Sequence, residues 1–299
     1  MAPVDPTDVR TAYPSLRDRP CEYPDARPAR ERWPFLYHHS LAYPLAPDPD
    51  LPVILPDLAI RTERGVETIA AWLQAAGATP VDQRIPVLAA GSNVYPRQLA
   101  DKFLLHPVVD DSVITLSCRM RGLRVVYAAA LSINNGYVPV TVQHAPTVET
   151  STWIQWLSAD QLRAISATEG RRYALVECPG DGLTVPGLRE LPPTVYAWRH
   201  DAVLDLGDGP IGYAADRPDG PGSATEADVL HDVVAQFIRL QGLQVRGASL
   251  TWDGCAPPVN LRDTLRDFIA ERAQDNPLPP EWRVIDRADP DFAAHLLPN

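Results

Sequence analysis

The chain has 299 residues, 45% of them hydrophobic and 22% charged, with a formal net charge of −11 and a pI near 5.0. That is the composition of a folded protein, with enough chain for one large domain or for one medium domain with appended segments. A field of this sign repels phosphate backbones and anionic lipid, so nucleic-acid and membrane partners are not expected.

From the N-terminus, residues 1–56 show little periodicity and mix Arg and Pro with Trp33, Phe35, Tyr37 and Tyr43. Aromatics are scarce in disordered chains, so part of this arm is expected to pack on something. The 32 prolines cluster here, around Pro44 to Pro56, at Pro192-Pro193 and near Pro277 to Pro280. Such stretches suit extended linkers or wrapping arms, although a proline-rich coding bias explains the excess equally well. Val66 to Ala76 follows, and the spacing of Val66, Ile69, Ala70, Trp72 and Leu73 predicts an amphipathic helix.

The texture then changes. Arg84 to Ala90 is a short apolar run fit for a buried strand, ending at Gly91-Ser92-Asn93. The helix predicted next opens with Pro96 in its first turn. A strand, a tight polar loop and a helix N-terminus together offer backbone N–H groups to an anion. Further strands are predicted at Val113–Ser117, Leu123–Leu131 and Val138–Gln143, with a turn at Asn134-Asn135-Gly136, and at Ser151–Leu157. Ser158 is placed to cap a helix carrying Leu162 and Ile165, which runs into Thr168-Glu169-Gly170. Strands follow at Tyr173–Glu177 and Thr194–Trp198, then helices at about Glu226–Gln241, with Thr225 as its cap, and Leu261–Arg272. The expected organisation is a proline-rich extension with one helix (1–83), a central domain (84–245) and a C-terminal tail with a helix (246–299). The alternation reads as α+β, a small mixed or antiparallel β-barrel with flanking helices.

Two segments resemble the gamma-glutamylcyclotransferase family. Strand-ending Gly91-Ser92-Asn93, followed by Pro96 and Leu99, resembles that family's Tyr-Gly-Ser-Asn-Leu loop. The run WLSADQLRAISATEGRRYALVE (residues 156–177) resembles its strand, short helix, acid-Gly turn and Tyr-bearing strand. The resemblance spans roughly residues 85 to 245. It implies a barrel fold, a small gamma-glutamyl substrate and no metal or organic cofactor. The implied reaction is intramolecular attack of the α-amine on the side-chain carbonyl, releasing 5-oxoproline and an amine. It makes Glu169 the acid/base group, since one carboxylate can take the ammonium proton and return it to the leaving nitrogen. It makes the N–H groups of Gly91, Ser92 and Asn93 donors to the substrate, with Tyr173 as a further contact. The chain departs from the pattern at Ala90, where the family carries Tyr. That departure motivates the alternative of a non-catalytic binding module, and a hydrolase or transferase using the same pocket is a third possibility.

Other residues have plainer readings. No Gly-x-Ser-x-Gly elbow surrounds Ser92, so it shapes the loop rather than acting as a nucleophile. His38-His39 is read as part of the arm, because adjacent side chains rarely converge on one ion. Arg171-Arg172 reads as a solvated patch. Trp153 and Trp156, three apart on a strand, point to opposite faces, so one belongs to the core. Cys21, Cys118, Cys178 and Cys255 form no Cys-x-x-Cys pair. Neither a disulfide framework nor a zinc knuckle is therefore expected, and a cytoplasmic setting fits. The N-terminus lacks a charged region ahead of an apolar core, so no signal peptide is expected.

Overall fold

The computed structural model describes residues 6–16, 33–62, 65–132, 137–205, 207, 210–213, 223–224, 259–289 and 291–297. In chain order the strands begin with β1 (Thr7–Asp8), β2 (Phe35–His38), β3 (Leu41–Pro44), β4 (Ala59–Thr62) and β5 (Gly65–Thr68). They continue with β6 (Ile85–Leu88), β7 (Val113–Tyr127), β8 (Val140–Leu157), β9 (Tyr173–Pro179), β10 (Leu183–Thr184) and β11 (Thr194–His200). The last are β12 (Ala202–Leu204), β13 (Gly212–Tyr213), β14 (Ser223–Ala224), β15 (Ala273–Asp275) and β16 (Arg283–Ile285). The helices are α1 (Val9–Ala12), α2 (Ile69–Ala76), α3 (Pro96–Leu105), α4 (Ala159–Thr168) and α5 (Val259–Ala270).

The architecture is α+β and mostly strand. The main sheet runs β1-β3-β2-β7-β8-β6-β11-β9-β16. Its pairs along that path are antiparallel except β6 with β11, where Tyr196 lies opposite Val87. The expected barrel does not close. Among the described residues β1 and β16 stand at opposite ends of the path without pairing. The reason lies in two edges already taken. The N-terminal hairpin docks on β7, with Phe35 opposite Thr115, and β16 covers the outer edge of β9, with Val284 opposite Val176. Strands from the three stretches 1–83, 84–245 and 246–299 all enter this one sheet. One hydrophobic core extends from Val9 through Phe35, Leu99, Ile154 and Val195 to Leu296.

Several expected strands prove to be parts of longer ones. Val113–Ser117 and most of Leu123–Leu131 lie on the single strand β7, 15 residues long. Most of Val138–Gln143 and all of Ser151–Leu157 lie on β8, 18 residues long. The two run antiparallel from Tyr127↔Val140 to Ile114↔Trp156, with a register shift between Arg121 and Gly122. Gly122 adopts φ +86°, a conformation that costs glycine nothing, and Pro146, with no N–H to pair, falls in the opposing unpaired stretch. The Asn134-Asn135-Gly136 turn and the helix expected at Glu226–Gln241 lie outside the described residues.

Val66 is a second difference. It belongs to β5, 65% exposed, and α2 starts only at Ile69 because the Thr68 side chain accepts the Ala71 N–H there. A β-branched residue suits the strand better than the helix.

The start of β6 is anchored by Arg84, a buried cation. Its guanidinium pairs with Asp110 at 2.9 Å and donates to the carbonyls of Ser112 at 2.6 Å and Thr79 at 2.9 Å. Gln161 on α4 donates to the carbonyls of Asp110 and Ser112, both at 2.7 Å. The same Gln161 closes a capping box with Ser158. One polar knot thus fixes the near ends of β6, β7 and α4. Their far ends carry the candidate site.

Candidate active site

Strand β6 is buried along its whole length and gives way to Ala89-Ala90-Gly91. A single 3-10 turn, Ser92–Val94, leads into α3, where Pro96 occupies the first turn without forfeiting a hydrogen bond. The loop is held from beneath. Ala89 donates to the carbonyl of Trp153 at 2.8 Å, and buried Gln155 donates to the carbonyl of Asn93 at 2.9 Å and to Thr115 Oγ1 at 3.1 Å. Among the described residues no acceptor takes the backbone N–H of Gly91, Ser92 or Asn93.

Across from this loop, α4 ends with Glu169 as its C-cap. Lys102, on the last turn of α3, places Nζ 2.9 Å from Glu169 Oε1, and Asn93 Nδ2 lies 3.3 Å from the same oxygen. The side chains of Lys102 and Glu169 are 8% and 17% exposed, so this ion pair is largely withdrawn from water. Asn93 Oδ1 is buried and has no donor among the described residues, an unspent acceptor beside the pair.

These groups line one cleft of about 570 Å³, within the size range of small-molecule sites. Gly91, Ser92, Asn93, Glu169 and Tyr173 all border it. Tyr173 is a wall rather than a free hand. Its hydroxyl donates to the carbonyl of Val140 at 2.9 Å, and its ring meets His200 edge-on at 5.0 Å. Burial pushes its phenol well above the ordinary value, so it stays protonated. Burial likewise lowers His200, which sits as a neutral imidazole against the backbone of Ala202. Ala90 lines the cleft with a methyl group. Arg171 and Arg172 both reach the rim, and Arg172 also pairs with Asp201 at 2.8 Å.

The N-terminal segment helps to form the rim. Tyr95 donates to the carbonyl of Pro14 at 2.7 Å, and Arg97 donates to the carbonyls of Arg10 and Tyr13 at 2.6 and 3.3 Å. Ser15 and Leu16 then border the cleft.

Lys102 is the residue that sequence reasoning missed. A signal for it exists: Lys102 falls between Leu99 and Phe103, on the face of α3 that is buried. A cation on an apolar helix face needs an anionic partner. Cys118 and Cys178 are buried, as small hydrophobes would be, and Trp156 is buried while Trp153 is half-exposed.

No family model matches the chain, and no curated protein matches it in sequence. Among solved structures, a gamma-glutamyl cyclotransferase is similar at 11% identity and a TM-score of 0.31, over 63% of this chain and 99% of that one. A protein of Arabidopsis thaliana, solved in solution, is similar at 15% identity and a TM-score of 0.27, over 53% of this chain and 89% of that one. Among the described residues no helix is long and apolar enough to cross a membrane.

Proposed function

We propose that the cleft receives the α-amino-acid head of a gamma-glutamyl compound and that the protein cyclises it, releasing 5-oxoproline and a free amine. The observation that carries this is the Lys102–Glu169 ion pair on the cleft wall, together with the N–H groups of residues 91–93 on the same cleft, which have no acceptor among the described residues. A cation and an anion side by side, both largely shielded from water, are complementary to a zwitterion. The substrate carboxylate takes the place of Glu169 on Lys102, and the substrate ammonium takes the place of Lys102 on Glu169.

The reaction then needs little else. Glu169 removes a proton from the ammonium, and the freed amine attacks the side-chain carbonyl carbon. A carbon–nitrogen bond forms to close the five-membered ring. The developing oxyanion is met by loop N–H groups. Glu169 returns its proton to the departing nitrogen as the original amide bond breaks, and the ring nitrogen gives up its second proton to the released amine, which leaves as an ammonium. Holding amine and carbonyl together supplies most of the remaining advantage.

The test is a panel of gamma-glutamyl amines, gamma-glutamyl amino acids and glutathione, with 5-oxoproline as the measured product. Release from at least one of them supports the reading. A folded protein that releases none from any of them overturns it. Within the same assay Lys102→Met is expected to raise KM by roughly 10- to 100-fold, the worth of one charge-assisted hydrogen bond, with a smaller fall in kcat. An unchanged KM removes Lys102 from substrate binding.

One observation favours a second reading. Ala90 stands where the resembled loop carries Tyr, so only a methyl group lines the cleft there. A binding module would take up a gamma-glutamyl compound, as measured by calorimetry, without forming 5-oxoproline.

A further inference from the structure

We propose that His38, His39 and Asp111 form a binding site for one divalent transition-metal ion of the zinc, cobalt or nickel kind. None of the three borders the cleft, so the site is independent of the reaction proposed above.

The three residues come from two places that the fold brings together. His38 ends β2, His39 begins the turn to β3, and Asp111 lies in the segment leading into β7. Their ligand atoms all lie within 4.8 Å of one another. His38 Nδ1 is 3.0 Å from Asp111 Oδ1, and His39 Nδ1 is 3.2 Å from the same oxygen. Around a zinc ion with bonds of about 2.0–2.1 Å at tetrahedral angles, neighbouring donor atoms stand about 3.3 Å apart. The two nitrogen–oxygen edges of such a shell are therefore nearly in place before any ion enters.

Adjacent histidines normally point apart, and here they do not. His39 and Ser40 both adopt left-handed backbone, with φ of 48° and 64°, the conformation of a tight hairpin turn. That turn swings the His39 ring back over the His38 ring, with centroids 3.8 Å apart. Trp72 stands edge-on to His38 at 5.0 Å and fixes it from the other side. The Asp111 carboxylate is oriented by the His39 backbone N–H, which reaches its two oxygens at 3.2 and 3.0 Å. Ser112 Oγ, 3.0 Å from His38 Nδ1, is a neighbouring hydroxyl able to hold a metal-bound water. A left-handed turn with no glycine at either position is uncommon, and an ion binding both imidazoles offsets its cost.

The donor set selects the class of ion. Two imidazole nitrogens and one carboxylate suit zinc, cobalt and nickel, whereas magnesium and calcium prefer oxygen-only shells. His38 and Asp111 are mostly shielded and His39 is 70% exposed, which leaves a coordination position open to water. The ion would clip the N-terminal hairpin to the segment ahead of β7.

The test uses the full chain without a histidine tag, stripped by a chelator and titrated separately with zinc and cobalt in a calorimeter. One equivalent is expected to bind, cobalt giving the visible absorption of a low-coordinate site and magnesium giving no heat. His39→Asn is the key variant, because asparagine accepts left-handed backbone and the exposed side chain is not needed for folding. It and Asp111→Asn are expected to bind no equivalent at the same concentrations. Zinc should also raise the thermal midpoint of the wild type and leave that of His39→Asn unmoved. A wild type that takes up no zinc or cobalt overturns the proposal, as does a His39→Asn protein that binds as much as the wild type.

Discussion

Glu169→Gln is expected to lower 5-oxoproline release by roughly 100- to 10,000-fold, the range lost when a positioned proton carrier is removed. The substitution keeps the shape of the side chain. Its amide oxygen can still accept from Lys102 Nζ and Asn93 Nδ2, which lie 2.9 and 3.3 Å from Glu169 Oε1. What it removes is the ability to accept a proton from an ammonium and return it to a leaving amine. The loss of charge opposite Lys102 should cost about 1 to 2 kcal/mol of stability, since the pair is largely, though not wholly, withdrawn from water. Activity and urea unfolding, measured on the same preparation, separate the two effects. A variant that turns over as fast as the wild type places the acid/base group elsewhere and sinks the mechanism. A variant that is unfolded is recognised as such by its lost unfolding transition.

Arg84→Met carries the largest expected loss of stability, about 3 to 5 kcal/mol, the cost of breaking a buried ion pair from one side. Methionine fills part of the volume but leaves Asp110 without its cation and the carbonyls of Ser112 and Thr79 without their donors. The pH dependence supplies a second check. Burial raises the Asp110 carboxyl, but the Arg84 guanidinium and the N–H groups of Thr79 and Ser112 outweigh it and hold the group below the usual carboxylate range. A carboxyl depressed in the folded state contributes stability that is complete above its unfolded value, near pH 4. That stability is lost as pH falls through the lower folded value. In Arg84→Met this acid-sensitive part should shrink. Urea midpoints taken at pH 7 and pH 3 should therefore differ less in the variant than in the wild type. An equal pH dependence in both proteins would assign the acid sensitivity to other carboxylates.

The elements around the cleft were readable from local pattern because local chemistry makes them. The apolar run at Ile85–Leu88, Pro96 in the first turn of α3 and the Ser158/Gln161 box each depend on residues within a few positions. Gly91, Ser92, Asn93, Glu169 and Tyr173, chosen from the sequence, border one cleft. What the sequence hid depends on distant pairing. The continuity of β7 is masked by Arg119, Arg121 and Arg124, which break up its apolar runs while facing outward or half-outward. The open sheet follows from contacts such as Leu36↔Ile114 and Val284↔Val176 that no local spacing announces. Lys102 stands out from the sequence only as a lysine on an apolar helix face, and its partner Glu169, 67 residues later, is not announced by any local spacing. The convergence of His38 and His39 required a left-handed turn at residues that seldom adopt one.

The position of β6 in the sheet sets the order in which the chain can be assembled. It lies between β8 and β11, the latter parallel to it and far later in the chain. On the ribosome, the buried strand Ile85–Leu88 emerges with neither neighbour yet made, and the N-terminal hairpin waits for Val113–Thr115 before it finds its edge. Local elements such as α2, α3 and the hairpin itself can form early, but the central apolar strand stays uncovered until Thr194–His200 has been synthesised. Such long-range closure is slow and leaves sticky intermediates. Expression at lower temperature, or with chaperones in excess, should therefore raise the soluble yield more than any single surface substitution.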